Sequence, residues 1–283
     1  MTKVAIVTDS TTNLPKEIAD QYSIQSAPAS IIWSGEELQD GIDITPNEFY
    51  NRLDKAIEIP TTSQAPPAAF KTIFDNLLAQ GYEILTATIS SKLSGMYSSA
   101  VKAKEMLPHA KIEVVDSLSG SMGLGWPLIK VAELAKKGAA LETCKAYLEK
   151  ALENVGILLM VDNLEFLHRG GRIGGAQRFL GSALNFKPIL EVTNGVFEGL
   201  ERVRTRVKAL NRLADLVVDR INGREPVYLG ILHCKAPEIA EELLKRMNEK
   251  VTIAQSLITE LGPAVGVHLG PGTVGVTFMA GIK

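Results

Sequence analysis

Short unbroken apolar runs alternate with longer amphipathic stretches through the first half of the chain. Val4–Thr8 is β-branched and continuous, then stops at the polar turn Asp9-Ser10-Thr11-Thr12-Asn13, which predicts a strand buried on both faces. Leu14-Pro15 opens a helix with Glu17 and Asp20 in its early turns, where acid groups suit the positive end of the helix dipole. Thr45-Pro46-Asn47-Glu48 is a capping box with proline at the first helical position, predicting a helix from Pro46 towards Ala56. Another helix starts at Pro66-Pro67 and ends near Gly81, and Tyr82–Ile89 and Lys111–Val115 repeat the buried-strand pattern. Strands separated by helices predict a parallel sheet with helices on its faces.

The second half is patterned differently. Val155–Val161 is a strand, and Pro188–Thr193 and Val196–Leu200 flank Asn194-Gly195, the pair that a tight type I′ hairpin requires. Helices are expected over Thr205–Asn222 and Pro237–Asn248 with the strand Val227–Leu232 between them, and Val274–Met279 is the last apolar strand. Hairpin plus helices implies a mixed sheet covered by helices. The expectation is therefore an α/β protein of two domains, 1–153 and 154–283, with a cleft between them.

Composition narrows the function classes. Of 283 residues, 46% are hydrophobic and 22% charged, a globular balance with ample core material. The formal net charge of −2 and the lack of a Lys/Arg-rich tract argue against nucleic acid as a partner. Cys144 and Cys234 are far apart, without the spacing of a zinc site, so no metal is expected, and two such cysteines fit a reducing compartment. No apolar run approaches the ~18 residues of a membrane span, and Asp9 interrupts the first apolar stretch too early for a signal-peptide core. A cytoplasmic protein without membrane insertion is expected.

The chemistry clusters at the expected strand ends. Asp9-Ser10-Thr11-Thr12, Ser90-Ser91-Lys92-Leu93-Ser94-Gly95 and Asp116-Ser117-Leu118-Ser119-Gly120-Ser121 follow the three strands, and Thr61-Thr62-Ser63-Gln64 precedes the helix at Pro66. Ligands of open parallel sheets bind beyond the carboxyl ends of the strands. Hydroxyls and free amides converging there make a site for a small anion, although each cluster alone also reads as helix caps and turn formers. Neither GxxxxGK[ST] nor GxGxxG occurs, which disfavours a nucleotide and leaves a carboxylate as the simplest anion. Of four histidines, His268 stands apart because glycines crowd both sides in Gly266-Val267-His268-Leu269-Gly270, which would leave its imidazole open to a ligand. Arg169-Gly170-Gly171-Arg172 can aim a guanidinium at a carboxylate or clamp an interface. Arg202, Arg204, Arg206 and Lys208 read either as a solvated helix start or as a docking surface for an acidic partner.

Taken together, Asp9-Ser10-Thr11-Thr12-Asn13-Leu14-Pro15, Thr62-Ser63-Gln64, Ser91-Lys92-Leu93-Ser94-Gly95-Met96-Tyr97, Arg169-Gly170-Gly171-Arg172-Ile173 and the segment from Gly262-Pro263 through His268 to Gly270-Pro271-Gly272-Thr273 resemble the DegV family. Lys187-Pro188-Ile189-Leu190 and Arg204-Thr205-Arg206 also look like family segments, so the likeness runs from Val4 almost to the end of the chain. The resemblance implies a two-domain α/β protein that buries one long-chain fatty acid, with no other cofactor. It further implies a non-catalytic binding subunit that presents the carboxylate to a separate ATP-dependent kinase subunit, which makes an acyl phosphate for phospholipid synthesis. Carried over by motif, Thr62 and Ser94 with His268 would hydrogen-bond the carboxylate, and Arg172 would lie near the head group or the kinase contact; Ser63 and Gly95 are further ligand-binding candidates, and Arg202 and Arg204, from the basic run, are the candidates for docking the partner. Two departures, Gln64-Ala65-Pro66 in place of Gln-Pro-Ser and Met96 in place of threonine, bear on pocket shape.

A lipid tail needs an apolar lining, for which Ile157-Leu158-Leu159-Met160, Phe166, Phe179, Leu180, Leu184, Phe186 and Ile189 are the sequence candidates. Two other readings stay open. One is an autonomous serine hydrolase or acyltransferase using Ser94 or Ser119 with His268, against which stands the lack of GxSxG. The other is a binding protein for a different carboxylate.

Overall fold

A computed structural model of the chain describes residues 3–180 and 186–282. Its first half contains strands β1 (Lys3–Asp9), β2 (Gln25–Ala27), β3 (Ser30–Trp33), β4 (Glu36–Gln39), β5 (Thr61–Ser63), β6 (Tyr82–Thr88) and β7 (Ile112–Asp116). The helices among them are α1 (Lys16–Tyr22), α2 (Pro46–Leu53), α3 (Pro67–Ala79), α4 (Met96–Glu105), α5 (Met122–Lys136) and α6 (Leu141–Leu152). The second half runs β8 (Val155–Met160), α7 (Glu165–Arg169), β9 (Lys187–Thr193), β10 (Val196–Val203), α8 (Arg206–Ile221) and β11 (Val227–His233). It ends with α9 (Pro237–Asn248), β12 (Gln255–Glu260), α10 (Pro263–Leu269) and β13 (Val274–Ala280).

The apolar runs of the first half form the expected parallel sheet, in the order β2-β1-β6-β7. The second half forms a mixed sheet, β10-β9-β8-β13-β11-β12, in which only β11 and β12 pair in parallel. A third sheet, β4-β3-β5, is antiparallel and departs from the sequence expectation: Thr61–Ser63 is an edge strand rather than a set of helix caps. Such a strand is too short and too polar to signal itself.

Local signals explain most boundaries. The Thr45 hydroxyl and the Glu48 side chain cap α2 reciprocally, but the helix ends at Leu53, short of Ala56. Asn194 and Gly195 both take positive φ, 50° and 80°, so the β9–β10 turn follows the twist of its strands as the pair predicts. α5 is apolar on nearly every side, with Met122, Leu124, Trp126, Leu128, Ile129 and Val131 buried. A helix of that kind must be covered all round. It packs on β1 and β6 of the parallel sheet and on β8, β11 and β13 of the mixed one.

The strands of the two large sheets separate between Leu152 and Val155, yet the largest apolar core draws on both halves, from Val7 and Phe74 to Leu159, Phe197 and Leu261. A second core lies beneath α8 and α9. The tip of the β9–β10 hairpin crosses to the other half, where the Gly195 carbonyl accepts a 2.8 Å hydrogen bond from the Ser90 hydroxyl.

Candidate functional site

Two carboxylates at strand ends organise the loops that matter. Asp9, fully buried where β1 stops, accepts the Thr11 amide (3.0 Å) and hydroxyl (2.5 Å) on Oδ1 and the Ile89 amide (2.8 Å) on Oδ2. Burial pushes this carboxyl up to about 6 even though those hydrogen bonds favour its ionised form. Asp116, at the end of β7, accepts the Ser91 amide at 3.0 Å. The segment after β6 is thereby tied on both sides, which sets Leu93 and Ser94 opposite β5. On the other wall, Asp40 accepts the Ala264 amide at the start of α10 (3.2 Å), and the Tyr50 hydroxyl donates to the Leu261 carbonyl (2.8 Å).

These supports frame a cavity of about 600 Å³ lined on one side by Thr11, Thr62, Ser63 and Ser94, and on the other by Arg172, Val265 and His268. It shares Ile89, Leu93, Phe197, Val265 and Leu269 with a second cavity of about 380 Å³. That inner chamber is completed by Gly120, Ser121, Ile157, Leu159, Val192, Leu232 and Leu261, and is hydrocarbon almost throughout. A vestibule bearing hydroxyls and a guanidinium thus adjoins an apolar chamber, with five residues forming the wall common to both.

The central contact of the vestibule joins β5 to α10: Thr62 Oγ1 lies 2.8 Å from His268 Nε2. The other ring nitrogen, Nδ1, is buried without a hydrogen-bond partner among the described residues. It lies so close to Gly170 that a methyl group added there would stand 2.2 Å away. Burial first, and the nearby positive charge of Arg172 second, push His268 down to about 4, so the ring is neutral at physiological pH. A buried N–H with no acceptor costs more than a bare ring nitrogen against a glycine, which favours the tautomer protonated at Nε2. In that tautomer His268 donates to Thr62, and the Thr62 hydroxyl proton is free to point into the cavity. Arg172 is held by two backbone carbonyls, donating from Nε to Leu93 (3.1 Å) in the loop after β6 and from Nη1 to Gly170 (2.7 Å). Among the described residues no carboxylate pairs with it within 4.0 Å, so its charge remains available at the vestibule.

The structure therefore brings Thr62, Ser63, Ser94, Arg172 and His268 together and leaves Gly95 out. Gly95 lies behind the vestibule against the Gln64 side chain, where a Cβ would come within 2.9 Å of it. The imidazole of His268 is not open to a ligand as the flanking glycines suggested: the close approach comes from Gly170, in a different motif, and Thr62 occupies its outer nitrogen. Nor do the hydroxyl clusters converge on one edge, because Ser117 and Ser119 border a separate outer groove with Glu149 and Asn194. Lys92 is exposed. Arg202 is exposed and stacks over Phe179 and Phe186, at 5.5 and 5.6 Å from the ring centres, while Arg204 points to solvent.

Most of the proposed tail lining lies elsewhere: of ten candidates, seven are outside the chamber. Ile157 and Leu159 line the inner chamber, but Leu158, Met160 and Ile189 point to the opposite face of the mixed sheet, into the core under α8. An unbroken apolar run does not reveal which alternate positions face which side. Phe166 packs against Gly270 and Phe179 against Gly199, outside the chamber. Leu180 and Phe186 are likewise outside it, and Leu184 lies outside the described residues. Phe197, which joins the two cavities, was not among the sequence candidates; its place on the inward face of the hairpin strand was the available signal.

A profile described as an uncharacterised protein of the DegV family matches residues 3–281. The chain belongs to the DegV family. Among its relatives, Protein DegV of Bacillus subtilis is 32% identical over 274 residues, covering 96% of this chain and 98% of that one. A DegV domain-containing protein of Listeria innocua is 34% identical over 277 residues, 98% of each chain. The fold agrees with a DegV-family protein of Thermus thermophilus described by its fatty acid binding (TM-score 0.93, 32% identity, 98% and 99% of the two chains). It agrees also with the Bacillus subtilis DegV structure, described as a fatty acid binding protein (TM-score 0.89, 32% identity, 99% and 100%). A stearic acid-binding protein from Eubacterium ventriosum superposes with a TM-score of 0.91 at 25% identity over 100% and 99% of the chains.

Proposed function

We propose that this DegV-family chain binds one long-chain fatty acid, its carboxylate in the vestibule and its tail in the inner chamber. The observation that carries the reading is that a vestibule bearing hydroxyls and an uncompensated guanidinium shares the wall Ile89, Leu93, Phe197, Val265 and Leu269 with a hydrocarbon chamber. Burying a methylene contributes about 0.8 kcal/mol, so a sixteen-carbon tail supplies on the order of 10 kcal/mol before the losses of association. The carboxylate leaves water at a cost that its new hydrogen bonds must offset. Thr62, oriented by His268, and Ser94 donate to it, Ser63 lies alongside, and Arg172 supplies the opposite charge.

In the finer form of the proposal the chain has no turnover of its own and presents the acid to a separate ATP-dependent kinase. One carboxylate oxygen attacks the γ-phosphorus, the bond to the β-phosphate oxygen breaks, and acyl phosphate and ADP result. Arg202 and Arg204 would meet the partner. The fatty acid-binding descriptions of the structural neighbours support the ligand class. A serine hydrolase gains no such support, because Thr62 engages Nε2 of His268 and Gly170 blocks Nδ1, leaving no carboxylate to orient the ring.

Native mass spectrometry of the purified protein, followed by denaturing extraction, tests the reading. One equivalent of a long-chain acid, exchangeable with added palmitate or oleate, is expected. A ligand-free protein that takes up neither acid would overturn it, and a covalent serine adduct would favour the hydrolase.

A further inference from the structure

Among the described residues, one side chain bordering the inner chamber does not suit hydrocarbon. Ser121 borders it among Ile89, Ile157, Leu159, Leu232 and Leu261, only 6% exposed, and its hydroxyl has no hydrogen-bond partner among the described residues. A buried hydroxyl without a partner is a cost that alanine would remove. The backbone at Ser121 adds to the anomaly: φ 44° and ψ −140° is a conformation that glycine adopts easily and serine does not. Serine is thus the worse choice for the backbone and for the apolar lining alike. The residue also precedes the first turn of the fifteen-residue helix α5, where the positive end of the helix dipole favours an electron-rich group. Ser121 lines the chamber but not the vestibule, so it meets a ligand away from the carboxylate.

We propose that Ser121 is a specificity residue that hydrogen-bonds an oxygen carried on the acyl chain, so that the chamber admits a hydroxylated long-chain acid in preference to its plain counterpart. The inference rests on the fatty-acid reading above. Among the described residues, the other buried serine lacking a partner, Ser119, borders the outer groove rather than the chamber and takes no part. In an apolar site a ligand hydroxyl without a partner is rejected, whereas a chamber that offers one partner at one depth accepts a single positional isomer.

Competition against a fluorescent fatty acid tests this, using octadecanoate and hydroxyoctadecanoates with the hydroxyl near the carboxylate, at mid-chain or at the chain end. The parent is expected to bind one hydroxy isomer at least as well as octadecanoate and to reject the others. Ser121→Ala and Ser121→Gly should each weaken that isomer about five- to tenfold while leaving octadecanoate unchanged or tighter. The glycine variant also relieves the backbone, so it stays folded if alanine does not, and the two should lose discrimination equally. Rejection of every hydroxy isomer by the parent, or discrimination that survives both substitutions, would overturn the role of Ser121 and leave fatty-acid binding intact. Failure of the parent to bind octadecanoate itself would overturn both.

Discussion

Gly170 and His268, far apart in the chain, meet so closely that glycine is the only residue the imidazole tolerates: a Cβ at Gly170 would stand 2.2 Å from Nδ1 and 3.0 Å from Cε1. The backbone of Gly170 is helical, with φ −74°, so the requirement is for space and not for an unusual conformation. The same glycine offers its carbonyl to Arg172. One small residue thereby sets both the cation and the ring that orients Thr62.

Gly170→Ala is expected to displace His268 and break its bond to Thr62. The cost should be about 1–3 kcal/mol of stability, as for other overpacked sites, together with loss of fatty-acid retention. Thermal unfolding and extracted lipid measure the two effects; an alanine variant with parental values in both would show that the ring moves without consequence.

Thr62→Val keeps the shape of the side chain and removes its hydroxyl. It leaves Nε2 of His268 unpaired and the carboxylate short of one donor, so affinity for palmitate should fall at least tenfold. Thr62→Ser restores the hydroxyl and should recover most of it. Equal affinities for the two variants would contradict the donor role.

The pH dependence of stability separates His268 from Asp9. His268 titrates near 4 in the folded protein, below the ordinary 6.5, so its contribution is present above pH 6.5 and lost as pH falls towards 4. Asp9 titrates near 6, above the ordinary 3.8, so its contribution is present at low pH and lost as pH rises through 6. Between pH 4 and 6 the two slopes oppose each other. Relative to His268→Gln, the parent should gain stability as pH rises across this window, by on the order of 3 kcal/mol up to pH 6.5. Urea midpoints at successive pH values give the difference, and a constant gap would refute the assignment.

Val265, on α10, borders both cavities. Val265→Phe should close the passage between them, so that octanoate, held mostly by its head group, still binds while palmitate and oleate are lost by tenfold or more. Equal losses for short and long acids would mean that the passage does not carry the tail.

Arg202→Glu and Arg204→Glu reverse exposed charges away from the cavity. Lipid content should be unchanged, while acyl phosphate formation with a cognate kinase subunit falls several-fold and its salt dependence weakens. Parental rates would remove this face from the docking surface.

Much of the architecture is legible in the chain because local chemistry and global packing agree there. Asn194-Gly195, the Thr45–Glu48 capping box and the β-branched runs at Val4 and Tyr82 each specify an element that the fold then uses. Elements with weak patterns are not legible: β12 is an edge strand with only one buried residue, and β5 is three short polar residues. The site divides in the same way. Motif resemblance singles out Thr62, Ser94, Arg172 and His268, but nothing local says that the imidazole is covered by Gly170 or that Thr62 is its partner. Those contacts exist only once α10 packs on α7, whose C-cap is Gly170, and on β5. The sidedness of Ile157 and Leu159 against Leu158 and Met160 likewise depends on register with β13, which an unbroken apolar run does not encode.

The hydrogen bond from Ser90 to the Gly195 carbonyl ties the tip of the β9–β10 hairpin to the loop after β6. One end of β10 carries Arg202 at the surface, and the other abuts the loop that ends in Ser94. On the proposed function, a partner docking at the arginine end would bear on the hairpin whose far tip touches the loop beside the bound carboxylate. Contact with a second protein and alignment of the reacting oxygen would then be a single mechanical event.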